Sequence, residues 1–92
     1  MTHFLVHDSR DNVGVAVVDI KSGQPVKGRT LDGAKSFEVT AIQDVPLGHK
    51  IALQGFNAGD TVIKYGEDIG RIIAGVQPGE HVHVHNLKTK RW

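Results

Sequence analysis

The segment Val76-Gln77-Pro78-Gly79-Glu80-His81-Val82-His83-Val84-His85-Asn86 carries the two patterns from which the rest of the chain is read. Its first half is a turn frame: an apolar residue, two others, glycine, two others, and an apolar residue again. Its second half alternates histidine with valine at the two-residue period of a β-strand. That alternation sends His81, His83 and His85 to one face and Val82 and Val84 toward a core. Half of the chain's six histidines fall on that face.

The turn frame recurs at Ile20-Lys21-Ser22-Gly23-Gln24-Pro25-Val26, Val45-Pro46-Leu47-Gly48-His49-Lys50-Ile51 and Phe56-Asn57-Ala58-Gly59-Asp60-Thr61-Val62. Each glycine is free to take positive φ where one strand ends and the next begins. Proline accompanies the glycine in three of the four frames, where its fixed φ suits a turn. Strand-like runs lie between the turns, at residues 4–7, 13–20, 37–42, 50–54, 61–65 and 71–76. Residues 8–12 read as a polar turn bonded to its own backbone, and residues 66–70 as another turn. Asp32-Gly33 is a hairpin signal. No helical period is sustained, and residues 32–35 offer room for one helical turn at most. The expectation is one all-β domain over residues 1–92.

Ninety-two residues suffice for one domain. So short a chain buries a modest share of its surface, and a larger partner or a homo-oligomer would help it. The net charge of +1, from 11 basic and 10 acidic side chains, offers no field for nucleic acid. The one basic cluster, Lys88-Thr89-Lys90-Arg91, reads as part of a solvated C-terminal tail over residues 88–92. The absence of cysteine excludes disulfides, thiolate metal sites and a cysteine nucleophile. No apolar run reaches the roughly 18 residues of a membrane span, and no signal peptide is visible. The expected location is cytoplasmic.

Three places could carry chemistry. On a strand, alternate histidines sit roughly 6.6–6.8 Å apart at Cα and can chelate one ion, while the outer pair of three is about 13 Å apart. His81 and His83 are thus a candidate metal pair. His85 is a spare for substrate or proton transfer, with Asn86 beside it. A polar face with incidental histidines stays open as the competing reading. The second place is His49-Lys50, where a turn enters a strand. The third is Lys64-Tyr65, where the lysine can hold a carboxylate or sulfonate. No nucleophile triad, phosphate loop or carboxylate pair is visible, which argues against a self-contained enzyme.

Three stretches, Pro46-Leu47-Gly48-His49-Lys50-Ile51-Ala52-Leu53, Val62-Ile63-Lys64-Tyr65-Gly66-Glu67-Asp68-Ile69-Gly70 and Gly79-Glu80-His81-Val82-His83-Val84-His85-Asn86, together resemble the N-terminal domain of the altronate/galactarate dehydratase family. That domain belongs to the SAF group, and the resemblance implies its β-clip fold. Many members fuse the domain to a large catalytic one. A chain stopping at Trp92 resembles instead a separate small subunit of a two-chain lyase. The resemblance extends to small subunits of lyases that split (2R)-sulfolactate into pyruvate and sulfite, with iron (Fe2+) as cofactor. It implies that His49, Lys50, Lys64, Tyr65, His85 and Asn86 face a small anionic hydroxy acid. His81 and His83 would hold the metal, and a large subunit would complete the pocket. Alternatives are the small subunit of a sugar-acid dehydratase, a non-catalytic β-clip binding module, and a stand-alone metal-binding protein.

Overall fold

All four turn frames close in the same way in the computed structural model, which describes residues 1–89. The N–H after each glycine donates to the carbonyl three residues back: Gln24 to Lys21, His49 to Pro46, Asp60 to Asn57 and Glu80 to Gln77, at 2.9–3.1 Å. The glycines themselves, Gly23, Gly48, Gly59 and Gly79, have φ between 85° and 96°, the value that the third position of a type II turn demands. The frames then pair two by two, through antiparallel bridges between Ile20 and Val45 and between Phe56 and Val76.

The strands are β1 (Phe4–Val6), β2 (Val13–Ala16), β3 (Pro25–Thr30), β4 (Ser36–Thr40), β5 (Lys50–Ala52), β6 (Thr61–Lys64), β7 (Glu67–Ile72), β8 (His81–Val82) and β9 (Leu87–Thr89). One sheet runs β4-β3-β1-β2-β5-β8 and the other β6-β7-β9. β1 and β3 pair in parallel, and the other pairings are antiparallel. Two buried clusters share β2 and β5. Ala16 and Ile51 join Phe4, Val6, Ile20, Val26, Ala41 and Val45, while Val13 and Ala52 join Phe56, Val62, Ile72, Val76, Val82 and Leu87. Gly14 and Gly28 flank the Phe4 ring so closely that a methyl group at either would overlap it. No helix of the described residues is long and apolar enough to cross a membrane.

The all-β expectation holds, and several boundaries move. Residues 32–35 contain no helical turn: the Gly33 N–H bonds the Thr30 carbonyl at 2.9 Å inside the β3–β4 hairpin. β2 ends at Ala16, because the frame that begins at Ile20 already bends the chain away. Residues 66–70 are mostly strand rather than turn. Only Tyr65-Gly66 separates the paired Lys64 and Glu67, both with positive φ, as a two-residue hairpin loop requires. The supposed tail also begins in a strand, since Lys88 and Thr89 belong to β9. Its remaining residues, 90–92, lie outside the described ones.

The largest correction concerns the last strand. β8 stops at Val82, and residues 83–86 form a turn in which the Asn86 and Leu87 N–H groups donate to the His83 carbonyl at 3.0 and 2.8 Å. Val82 is core as expected, but Val84 is 73% exposed. The three histidines therefore do not share a strand face. They meet for another reason.

Candidate metal and substrate site

The turn at residues 83–86 folds the chain back over β8, so ring separations shrink well below what an extended strand allows. His81 and His85 have centroids 5.2 Å apart, and His81 and His83 5.5 Å. Asn86 makes this fold possible. It is 2% exposed, its side-chain oxygen accepts from the His83 N–H at 2.9 Å, and its amide donates to the His81 carbonyl at 2.9 Å. Expected among the substrate-facing groups, Asn86 is instead spent on holding the histidine turn. His85 stands exposed at the rim.

His49 reaches the same place from the Gly48 turn. Its Nδ1 lies 2.8 Å from His81 Nε2, and its ring stacks on His83 at 4.1 Å. One ligand nitrogen from each of His49, His81 and His83 lies within 4.8 Å of the others. The metal pair expected from spacing is thus a triplet, and its third member comes from a position expected to serve catalysis. A sequence signal for this exists. In the other three turns the residue after glycine bends back: Gln24, Asp60 and Glu80 accept from the N–H of Lys21, Asn57 and Gln77 at 2.8–3.1 Å. The Gly48 turn begins with Pro46, which has no N–H to cap. Its residue after glycine, His49, is released for other use.

The surroundings favour the neutral form of His81 and His83. Burial first, then the charges of His49, His85, His83 and Lys50, hold His81 below its ordinary pKa. His83 is lowered likewise, by burial and then by His49, Lys50 and His85. Neutral imidazole is the form that binds metal. His83 Nδ1 is buried without a hydrogen-bond partner among the described residues, a cost that a bound ion would remove. Three imidazoles suit Zn, Cu, Fe or Ni. The residues present fit an iron ion.

Lys50, half-buried on β5 between Val15 and Val82, is lowered by burial and by the neighbouring charge of Lys64. Lys64 Nζ sits 5.2 Å from the centre of the Tyr65 ring, which stacks on His7 at 3.9 Å. Tyr65 has φ 57°, the left-handed region that a bulky side chain avoids. Asp11 holds it there. Its buried carboxylate accepts from the Tyr65 and Gly66 N–H groups at 3.0 and 2.7 Å. Asn12 bonds the Thr61 carbonyl and the Ile63 N–H at 3.1 and 2.8 Å. Residues 8–12 were expected to bond their own backbone. They do, through the Arg10 N–H to Asp8 and the Asp8 N–H to Asp11 at 2.9 and 3.2 Å. In addition, Asn12 anchors β6 and Asp11 the Tyr65-Gly66 loop across some fifty positions of sequence, a pairing with no local signature.

A family model described as the altronate/galactarate dehydratase SAF domain matches residues 2–90. The chain belongs to that SAF-domain family. This SAF domain is 46% identical over 90 residues to the (2R)-sulfolactate sulfo-lyase subunit alpha of Chromohalobacter salexigens, covering 97% of this chain and 96% of that one. It is 59% identical over 56 residues to the subunit alpha from Paracoccus pantotrophus, covering 61% of this chain and 84% of the other. It is also 40% identical over 89 residues to the altronate dehydratase of Escherichia coli, where the match takes in 97% of this chain but 17% of the longer one.

Proposed function

We propose that the chain is the small subunit of a two-chain lyase that splits (2R)-sulfolactate into pyruvate and sulfite. The observation that carries the reading is the convergence of His49, His81 and His83 beside two lysines, Lys50 and Lys64, neither of which forms an ion pair among the described residues. Near coextension with a sulfo-lyase subunit alpha supports it. The substrate is a dianion, carboxylate at one end and sulfonate at the other, and two lysines match two charges. Altronate brings one, while galactarate is a dicarboxylate, so the charge count sets sulfolactate apart from altronate alone.

The reaction removes the proton from the carbon that bears hydroxyl and carboxylate. That electron pair becomes a carbon–carbon double bond, and the carbon–sulfur bond breaks with sulfite taking its electrons. The enol then gains a proton on its terminal carbon as its hydroxyl proton leaves, and becomes pyruvate. Lys50 and Lys64 hold the anionic ends, and Tyr65 fixes the direction from which Lys64 approaches. His85, exposed against His81, moves the proton. His49, His81 and His83 would hold Fe2+, which supplies Lewis acidity toward the carboxylate and hydroxyl when bound. The large chain closes the pocket and brings the remaining catalytic groups.

The test is to purify this chain with its companion large chain and assay sulfite release from sulfolactate. Sulfite production above that of the large chain alone is expected, with a sharp loss on Lys50→Gln or Lys64→Gln. A mixture no better than the large chain alone overturns the reading. Loss of water from altronate without sulfite release would place the chain with the dehydratases, the reading that the 40% identity to altronate dehydratase favours.

A further inference from the structure

Eight large apolar side chains are well exposed among the described residues: Met1, Val17, Leu31, Ile42, Leu47, Tyr65, Ile73 and Val84. Scattered singly, such residues need no explanation. Four of them are not scattered. Leu47 lies in the Gly48 turn, two residues before His49, and Val84 stands between His83 and His85. Val17 follows Ala16, whose carbonyl accepts from the Gly48 N–H at 2.8 Å and whose N–H donates to the His49 carbonyl at 2.9 Å. The Ile42 N–H donates to the Gly79 carbonyl at 3.0 Å, and the side chain of Gln43 accepts from the His81 N–H at 3.0 Å. Leu47 and Val84 thus sit on turns that carry the histidines, Ile42 is bonded to the Gly79 turn that leads into His81, and Val17 adjoins the residue bonded to the Gly48 turn.

The fold does not ask for this apolar surface. The position that Leu47 fills in its turn frame is taken by Ser22, Ala58 and Pro78 in the other three. Leu47 is 61% exposed and packs in neither core cluster. The residues it surrounds are one-sided in charge, for the charged groups acting on His81, His83 and Lys50 are themselves histidines and lysines. A face whose centre is basic and whose rim is apolar except for Asp19, the carboxylate that accepts from the Leu47 N–H at 2.9 Å, calls for a partner with apolar and acidic groups. In the altronate dehydratase of Escherichia coli the matched segment is 17% of the chain, so the domain there is joined to a far larger body.

We propose that Val17, Ile42, Leu47 and Val84 form the seat on which the large catalytic chain closes, sealing the histidine site from water while that chain presents carboxylates to the basic centre. This rests on the small-subunit reading above. A ring of apolar contacts that excludes water is how a buried polar centre gains strength at an interface.

The experiment combines two double variants with the companion large chain and follows association by analytical ultracentrifugation. In parallel, the isolated small chain is titrated with Fe2+ and Zn2+. Leu47→Asp with Val84→Asp is expected to weaken association by at least about tenfold, with metal uptake by the isolated chain unchanged. Leu31→Asp with Ala34→Asp, both exposed in the β3–β4 hairpin loop, is expected to associate as wild type. Leu47→Ser, which installs the residue of the Gly23 turn, serves as a milder variant and is expected to fall between. The proposal is overturned if the Leu47/Val84 variant associates normally, or if the Leu31/Ala34 variant loses as much. Failure of the wild-type chain to associate at all would remove the small-subunit reading together with this one.

Discussion

The turn at Gly48 and the turns at Gly23, Gly59 and Gly79 share one backbone and differ in what the residue after glycine does. In three of them a Gln, Asp or Glu side chain caps the N–H that opens the turn. In the fourth, Pro46 offers no N–H, and His49 turns outward to His81 and His83. One backbone design therefore caps itself three times and once releases a histidine into a cluster of three. The difference teaches that a repeated frame marks its candidate functional member where the repeat loses its structural duty.

The comparison breaks most visibly at that residue. Replacing His49 by Ala should lower metal affinity at least about 100-fold, beyond what loss of an outer-shell partner costs, and should abolish lyase activity of the assembled enzyme. Glu80→Ala, the equivalent position in the Gly79 turn, should leave both intact and lower stability by about 1 kcal/mol. Metal titration and thermal melts of the two variants separate the roles. Equal metal affinity in both would erase the distinction.

Among the capped turns, backbone surroundings should grade the damage. Gly23→Ala meets open space and pays only for its left-handed φ, about 1 kcal/mol. Gly79→Ala has the same φ and would also drive a methyl group into the Thr40 carbonyl, so it should cost about 3 kcal/mol. Urea unfolding of both variants reads the gap, and equal midpoints would contradict the packing.

Acid should act on the histidine turns and spare the others. His81 and His83 are lowered from an ordinary 6.5 in the folded protein, so the unfolded chain takes up protons first as pH falls. Stability of the metal-free chain should decline as pH drops below about 6.5 and level off beneath the depressed folded values. A His81→Gln, His83→Gln double variant should melt with a flatter pH dependence. A slope unchanged by the two substitutions would count against their burial.

The smallest effect is expected at Pro46. Pro46→Ala restores an N–H, which gives His49 the capping partner its counterparts already have. Metal binding should weaken only a few-fold, measured by titration, since a hydrogen bond of about 1 kcal/mol competes with the ion. No change would mean that His49 faces its neighbours regardless of the turn.

Local pattern made the turns, the strands and the chemical residue types legible, because glycine's positive φ and the period-two alternation are properties of a few consecutive residues. The amino-acid sequence determined an all-β chain, four turns of one design, and the candidates His49, Lys50, Lys64, Tyr65, His81, His83 and His85. It misled at residues 83–86, where alternation implied a strand. The buried Asn86 side chain, bonding back to both His81 and His83, makes a turn instead.

Only the tertiary structure decided which of these residues meet. His49 and His81 are thirty-two positions apart, and they touch because β5 and β8 lie side by side. Asp11 holds Tyr65 from fifty-four positions away, and nothing in either segment announces the other. Contacts of that range are created by burying Val13, Ala52 and Val82 in one core, a cooperative outcome of the whole chain rather than of any stretch within it.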